Sequence, residues 1–157
     1  MKRLEETTVE LVKIQSSDAW EFYRIAHNGE VEKFVASLFP EDIEEANIII
    51  EMLMDGSNYI SYKIQNSKGE FVGVIHGEKH VNGMIDVSYF IGKEFRGHGY
   101  CTVAVSKFEK KLKEQNFKGM QFVIDQKNRK SKKVMKRLKI PMDHEYLQRF
   151  LIYKKIF

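Results

Sequence analysis

Cysteine is nearly missing from this sequence. Cys101 stands alone among 157 residues, which excludes an internal disulfide and suits a reducing compartment. Long apolar runs are missing too. No stretch approaches the ~18 apolar residues that a membrane span needs. Residues 1–15 alternate charged with apolar positions and lack the core of a secretory signal. A cytoplasmic protein without membrane association is expected. Prolines number two, and no Pro/Gly/Ser-rich linker, internal repeat or low-complexity tract offers a domain boundary. One domain over residues 1–157 follows, because two independent cores would be cramped at this length.

Charge is abundant but unevenly placed. The net +4 conceals a first stretch, residues 1–57, with 13 Asp/Glu against 5 Lys/Arg, and a remainder with 9 against 21. One end of the molecule is suited to a cationic partner and the other to an anionic one. Solvated acidic helix faces would give the same count.

Hydrophobic periodicity supplies the elements. Val9, Leu11 and Ile14 alternate in a first strand, roughly residues 7–15. Ser16, Ser17 and Asp18 offer N-caps to a helix that runs to about Asn28. Val31, Phe34, Val35 and Leu38 repeat at helical spacing up to Phe39. Pro40-Glu41-Asp42 then opens a third helix with Ile43, Ala46, Ile50, Leu53 and Met54 inward. Tyr59–Ile64 and Phe71–Ile75 read as strands joined by an Asn66-Ser67-Lys68-Gly69 turn, and Met84–Ile91 as the next strand. A loop over Gly92–Gly99 leads into a helix to about Asn116. Gly119–Asp125 is a strand, Asn128–Lys139 a basic helix and Leu147–Ile156 a closing strand. This order predicts a mixed sheet with helices on both faces, an α/β or α+β fold.

The segment with most chemical content is Gly92-Lys93-Glu94-Phe95-Arg96-Gly97-His98-Gly99-Tyr100-Cys101-Thr102. It leaves a strand and enters a helix, so unpaired N–H groups and the positive end of the helix dipole face outward, ready for phosphate oxygens. Gly97 and Gly99 allow close approach of main chain to an anion, and Arg96 adds a positive charge. It is not a Walker loop, and Thr102 stands where the third glycine of a dinucleotide fingerprint belongs. A glycine-containing turn without function has the same outline.

Arg96-Gly97-His98-Gly99-Tyr100 resembles the R/Q-x-x-G-x-G/A pyrophosphate loop of the GNAT acetyltransferases. Ile85–Ile91 is similar to the strand that feeds that loop, and Asn128-x-x-Ser131 at a helix start resembles the second acetyl-CoA motif. The order of elements agrees over nearly the whole chain. The group that acetylates ribosomal proteins and polyamines is the nearest in pattern. The resemblance implies a mixed, mostly antiparallel central sheet flanked by helices. It implies acetyl-CoA as co-substrate, no metal, and direct transfer to a primary amine in a ternary complex. It departs from the family at Cys101 (usually Gly/Ala), at Leu138-Lys139-Ile140 (usually Leu-Gly-Phe) and after Pro141. There the C-terminal strand region looks shortened, with the last hairpin reduced to one strand. A homodimer that completes the acceptor side is compatible with this.

By the same resemblance, Arg96, Gly97, His98, Gly99 and Tyr100 hold the pyrophosphate, with Cys101 and Thr102 at the helix start. Tyr89, Phe90 and Ile91 present backbone to the pantetheine and acyl carbonyl, and Asn128 and Ser131 belong to the second motif. The chemistry needs a base, because an amine of pKa ~10.4 is protonated at neutral pH, and a proton donor for a leaving thiolate of pKa ~8.5. Asp86 is the first candidate base and Glu78 the second. His76 and His80 read as solvated strand-end residues. Many relatives use a tyrosine as the acid where Met135 stands here, which leaves Ser131. Cys101 is a poor nucleophile candidate, since this reaction needs no covalent intermediate.

Lys127–Lys139 holds eight Lys/Arg and no acid. Without interleaved aromatics, nucleic acid is a weaker partner for this helix than CoA phosphate or solvent. The acidic first third favours a cationic acceptor: a basic peptide N-terminus, a polyamine or an aminoglycoside. The alternative is a catalytically silent acyl-CoA-binding regulator, suggested by Met135 and the short tail.

Overall fold

The computed structural model describes residues 7–157; the first six, part of the alternating stretch and of the acidic count above, lie outside it. Strand β1 (Val9–Lys13) leads through a short 3-10 turn into helix α1 (Ala19–Ala26). The start is fixed by the Asp18 carboxylate, which accepts from the Gln15 backbone N–H at 2.8 Å. The expected second helix is two pieces, α2 (Gly29–Phe34) and a 3-10 turn over Ala36–Leu38. Its period is interrupted where Val35 leaves the helical region, and Phe39 is extended ahead of Pro40, which disfavours helical backbone before it. Asp42 caps helix α3 (Ile43–Leu53) through the Glu45 N–H at 2.8 Å.

Three antiparallel strands follow: β2 (Tyr59–Asn66), β3 (Phe71–Lys79) and β4 (Met84–Ile91). Helix α4 (Tyr100–Glu114) ends just before Asn116, whose left-handed φ of 65° stops it. Strand β5 (Gly119–Asp125) runs parallel to β4, and α5 (Arg129–Arg137) is capped by the Asn128 side chain. The sheet order is β1-β2-β3-β4-β5-β7-β6. The helices cover both faces. Phe108, Leu112, Val134 and Met135 pack with Ile85, Val87 and Phe122 on one side. Phe22, Ile25, Leu38 and Ile50 pack with Val74 and Phe90 on the other.

The expectation of a single closing strand is corrected here. The chain ends in a hairpin, β6 (Met142–Tyr146) paired antiparallel with β7 (Phe150–Ile156). Leu147 and Gln148, read as the start of the last strand, form its turn at φ 53° and 54°. Two successive residues of positive φ make the tight turn that hairpins prefer, usually written with Asn and Gly. Strand β6 carries no alternation because all five of its residues are exposed at the sheet edge.

The relation of β4 to β5 matters most. They pair at only three positions, ending with Asp86 opposite Gln121. Beyond that point Val87–Ile91 and Phe122–Asp125 separate, and the sheet opens between them. Among the described residues, no helix is long and apolar enough to cross a membrane.

Candidate active site

A cavity of about 530 Å³ occupies the open end of the sheet. Every residue expected at the cofactor lines it: Tyr89, Phe90 and Ile91 from β4; Arg96, Gly97, His98, Gly99, Tyr100, Cys101 and Thr102 from the loop and α4; Asn128 and Ser131 from α5. Sequence reasoning missed the wall opposite, where Glu30, Val31 and Phe34 come from α2. Their helical period showed a buried face, but not which cavity it would border.

The loop has a backbone geometry suited to an anion. Gly97 and Gly99 adopt φ of 86° and 75°, a left-handed backbone that side chains disfavour. An added Cβ at Gly97 would meet nothing within 4 Å, so the main chain there faces open space. Gly99 is the N-cap of α4 and has no side chain to satisfy the N–H groups of the first turn. Thr102 in that turn carries a buried hydroxyl with no hydrogen-bond partner. Thr7, two residues before β1, braces the loop by donating to the His98 carbonyl at 3.1 Å. Arg96 donates to the Ile91 carbonyl and the Asn28 side chain. Its guanidinium also lies 3.0 Å from Glu30, which in turn meets Lys130 at 3.3 Å. Lys133 and Arg137 add positive charge to the rim. Free amides, a left-handed cradle, an unpartnered hydroxyl and flanking cations together fit a diphosphate.

At the N-cap of α5, the Asn128 side-chain oxygen accepts the Ser131 N–H at 3.2 Å, and Asn128 itself lines the cavity with its amide nitrogen outside that bond. Met135, at the position where the family resemblance implies a tyrosine in many relatives, is fully buried and offers no hydroxyl. Burial pushes the Cys101 thiol up to about 12, against the opposing pull of Arg96. It stays a neutral thiol at physiological pH and a weak nucleophile.

Asp86 and Glu78 line a second, smaller cavity with Ser37, Tyr59, His76, Ser88 and Gln121. They are cross-strand partners on β4 and β3. Asp86 is tethered at both oxygens: Gln121 Nε2 donates to Oδ1 at 3.1 Å and His80 Nε2 meets Oδ2 at 2.8 Å. Glu78 is exposed. Consecutive residues of β4 line the two cavities, Ser88 the smaller and Tyr89 the larger, with their side chains on opposite faces of the sheet.

His76 corrects the sequence reading. It is 7% exposed on the central strand β3, with Nδ1 2.6 Å from the Ser61 hydroxyl. Burial lowers its pKa to about 4, so it is neutral at physiological pH. The unbroken apolar stretch before it, Phe71-Val72-Gly73-Val74-Ile75, was the available signal, since such runs belong to strands covered on both faces.

Solved structures share this architecture. The microcin C7 self-immunity acetyltransferase MccE, solved with acetyl-CoA and AMP, superposes with a TM-score of 0.79 at 20% identity, covering 95% of this chain and 92% of that one. The Vibrio cholerae spermidine N-acetyltransferase, solved with CoA and spermine, gives 0.82 at 8% identity over 97% and 96%. The Salmonella typhimurium acetyltransferase that modifies the N-terminal serine of ribosomal protein L7/L12 gives 0.82 at 16% over 96% and 95%. At these identities the likeness is one of fold. No curated protein matches the chain in sequence. Residues 8–140 match the family model described as the acetyltransferase (GNAT) domain. The glycine loop before α4, the opened sheet and this match together place the chain in the GNAT acetyltransferase family.

Proposed function

We propose that the protein transfers an acetyl group from acetyl-CoA to a cationic primary amine by direct attack in a ternary complex. The observation that carries this is that β4, where its pairing with β5 ends, supplies Tyr89, Phe90 and Ile91 to a cavity suited to an anion and Asp86 and Ser88 to a carboxylate-lined one. The first suits the diphosphate and pantetheine of acetyl-CoA; the second suits an ammonium group. Acceptors of the kinds named by two structural relatives, a polyamine and a protein N-terminus, both present such a group.

In this reading the loop amides, Arg96 and Lys130 hold the diphosphate, and the amide nitrogen of Asn128 orients the pantetheine arm. Glu78 and Asp86 attract the amine by paired negative charge. Glu78 takes its proton, directly or through water, while Asp86 is held by His80 and Gln121 as a fixed anchor. Transfer forms the N–C bond and breaks the C–S bond, whose electron pair stays on sulfur. The Ser131 hydroxyl supplies a proton to that sulfur and regains one from water. His76, neutral and buried, shapes the floor of the amine cavity.

Catalysis without a tyrosine at position 135 is the feature that favours a silent regulator. The second support for that alternative, a missing C-terminal hairpin, is gone, since β6 and β7 are both present. A homodimer remains a proposal. Among the described residues β1 and β6 form the sheet edges, and β6 is the fully exposed one at which a second copy could pair.

The experiment is a thiol-release assay with acetyl-CoA and polyamines, aminoglycosides and basic peptides. The reading requires acceptor-dependent release that is lost in Glu78→Gln with acetyl-CoA binding retained. Equal rates in wild type and in Glu78→Gln and Asp86→Asn would remove the base and anchor assignments.

A further inference from the structure

The tyrosine that serves as proton donor in many relatives is Met135 here, and a serine hydroxyl alone is a weak acid. A second hydroxyl lies in the same cavity. Tyr89, on β4, points to the α4–α5 face, with its ring edge-on to Phe122 at 6.4 Å and 69°. Its side of the cavity is shared with Cys101 and Ser131. The ring borders the cavity, yet the hydroxyl is closed off from solvent and has no hydrogen-bond partner. Ser131 lines the same cavity and is a hydroxyl that bears on its ionisation, but the two form no hydrogen bond in this structure. A buried hydroxyl left unpaired costs stability. A protein keeps such a group where it gains a partner in another state.

We propose that Tyr89 is a positioning residue for acyl transfer: when the cavity is filled, its phenolic hydroxyl donates to Ser131 Oγ and turns the Ser131 hydroxyl toward the departing sulfur. The inference rests on the acetyltransferase reading above. Two features prepare the pair. The Asn128 cap fixes the Ser131 backbone by accepting its N–H at 3.2 Å. Burial holds the phenol protonated far above neutral pH, so it stays a donor throughout turnover. Tyr89 transfers no proton of its own. It orients the serine that does, and a hydrogen bond in a dry cavity also stabilises the negative charge that develops on sulfur.

The test is a double-substitution cycle on Tyr89→Phe and Ser131→Ala, with turnover, acetyl-CoA affinity by calorimetry and apoprotein melting temperature read for each protein. Tyr89→Phe should lower kcat about 10-fold, the upper end of what loss of one neutral hydrogen bond costs. The acetyl-CoA dissociation constant should stay within about two-fold. The melting temperature should be unchanged or higher, because an unpaired hydroxyl has been removed. The double variant should be no slower than Ser131→Ala alone. Unchanged kcat in Tyr89→Phe, or penalties that multiply in the double variant, overturns the proposal. So does a lowered melting temperature with weakened acetyl-CoA binding, which would mark the hydroxyl as structural. If the wild type turns over and only the cycle fails, the acetyltransferase reading survives without Tyr89; if the wild type releases no thiol with any amine, both fall.

Discussion

The carboxylate of Glu30 stands 3.0 Å from the guanidinium of Arg96 and 3.3 Å from the ammonium of Lys130, so one anion from α2 spans two cations at the mouth of the larger cavity. Those cations come from the loop before α4 and from α5. A diphosphate entering the cavity must share them with, or displace, the carboxylate.

Replacing Glu30 by glutamine keeps the size of the side chain and removes its charge. The local potential becomes more positive, and both cations are freed for phosphate. We expect Glu30→Gln to bind acetyl-CoA a few-fold more tightly, about 1 kcal/mol at most for partly exposed groups. Calorimetry at two ionic strengths checks this, with a steeper salt dependence in the variant. Weaker binding would mean that Glu30 preorganises Arg96 and does not compete for it.

The two carboxylates of the smaller cavity should separate in their effects. Glu78→Gln should reduce kcat by about 10²-fold, the usual worth of a positioned base, with acetyl-CoA affinity unchanged. Asp86→Asn should chiefly raise the KM of the amine, because its oxygens are already held by Gln121 and His80. Steady-state kinetics with the amine varied distinguishes the two patterns.

His76 makes stability depend on pH. Burial lowers its folded pKa to about 4 from an ordinary 6.5, so the unfolded chain binds a proton that the native one refuses. The contribution is complete above about pH 6.5 and is lost progressively as pH falls to about 4. Its size is on the order of 3 kcal/mol. Denaturant midpoints across that window should fall more steeply for wild type than for His76→Gln, and coincident slopes would contradict this.

The β6–β7 turn carries strain that a different sequence would relieve. Leu147 and Gln148 both adopt the left-handed backbone, which costs L-residues roughly 1–2 kcal/mol each. Leu147→Asn with Gln148→Gly supplies the residues such turns prefer. The pair should raise the melting temperature by a few degrees, in proportion to about 1 kcal/mol for a chain of this size. Turnover should be unchanged, since neither residue lines a cavity.

That turn also illustrates what could be read from the residues alone. Strands with clear apolar alternation, such as β4, and helices with a capped start, such as α3, announced themselves through period and cap chemistry. The anion loop was legible because glycines between a strand and a helix leave amides open, and all of its expected residues border one cavity. The hairpin was hidden because its turn lacks glycine and its first strand is wholly exposed, so neither pattern nor turn residue marked it. His76 was misplaced because its burial comes from helices packed on both sheet faces, a tertiary fact. Glu30 and the Tyr89 hydroxyl joined the site through packing of α2 and α5 around the opened strands, which no local spacing encodes.

The most direct measurement is acetyl-CoA-dependent thiol release by the purified protein, with spermidine, an aminoglycoside and a basic peptide as acceptors against a blank without acceptor. The account predicts release that depends on a cationic amine, that saturates with acetyl-CoA and that falls sharply in Glu78→Gln. Absence of acetyl-CoA binding by calorimetry, with no release from any acceptor, would contradict it.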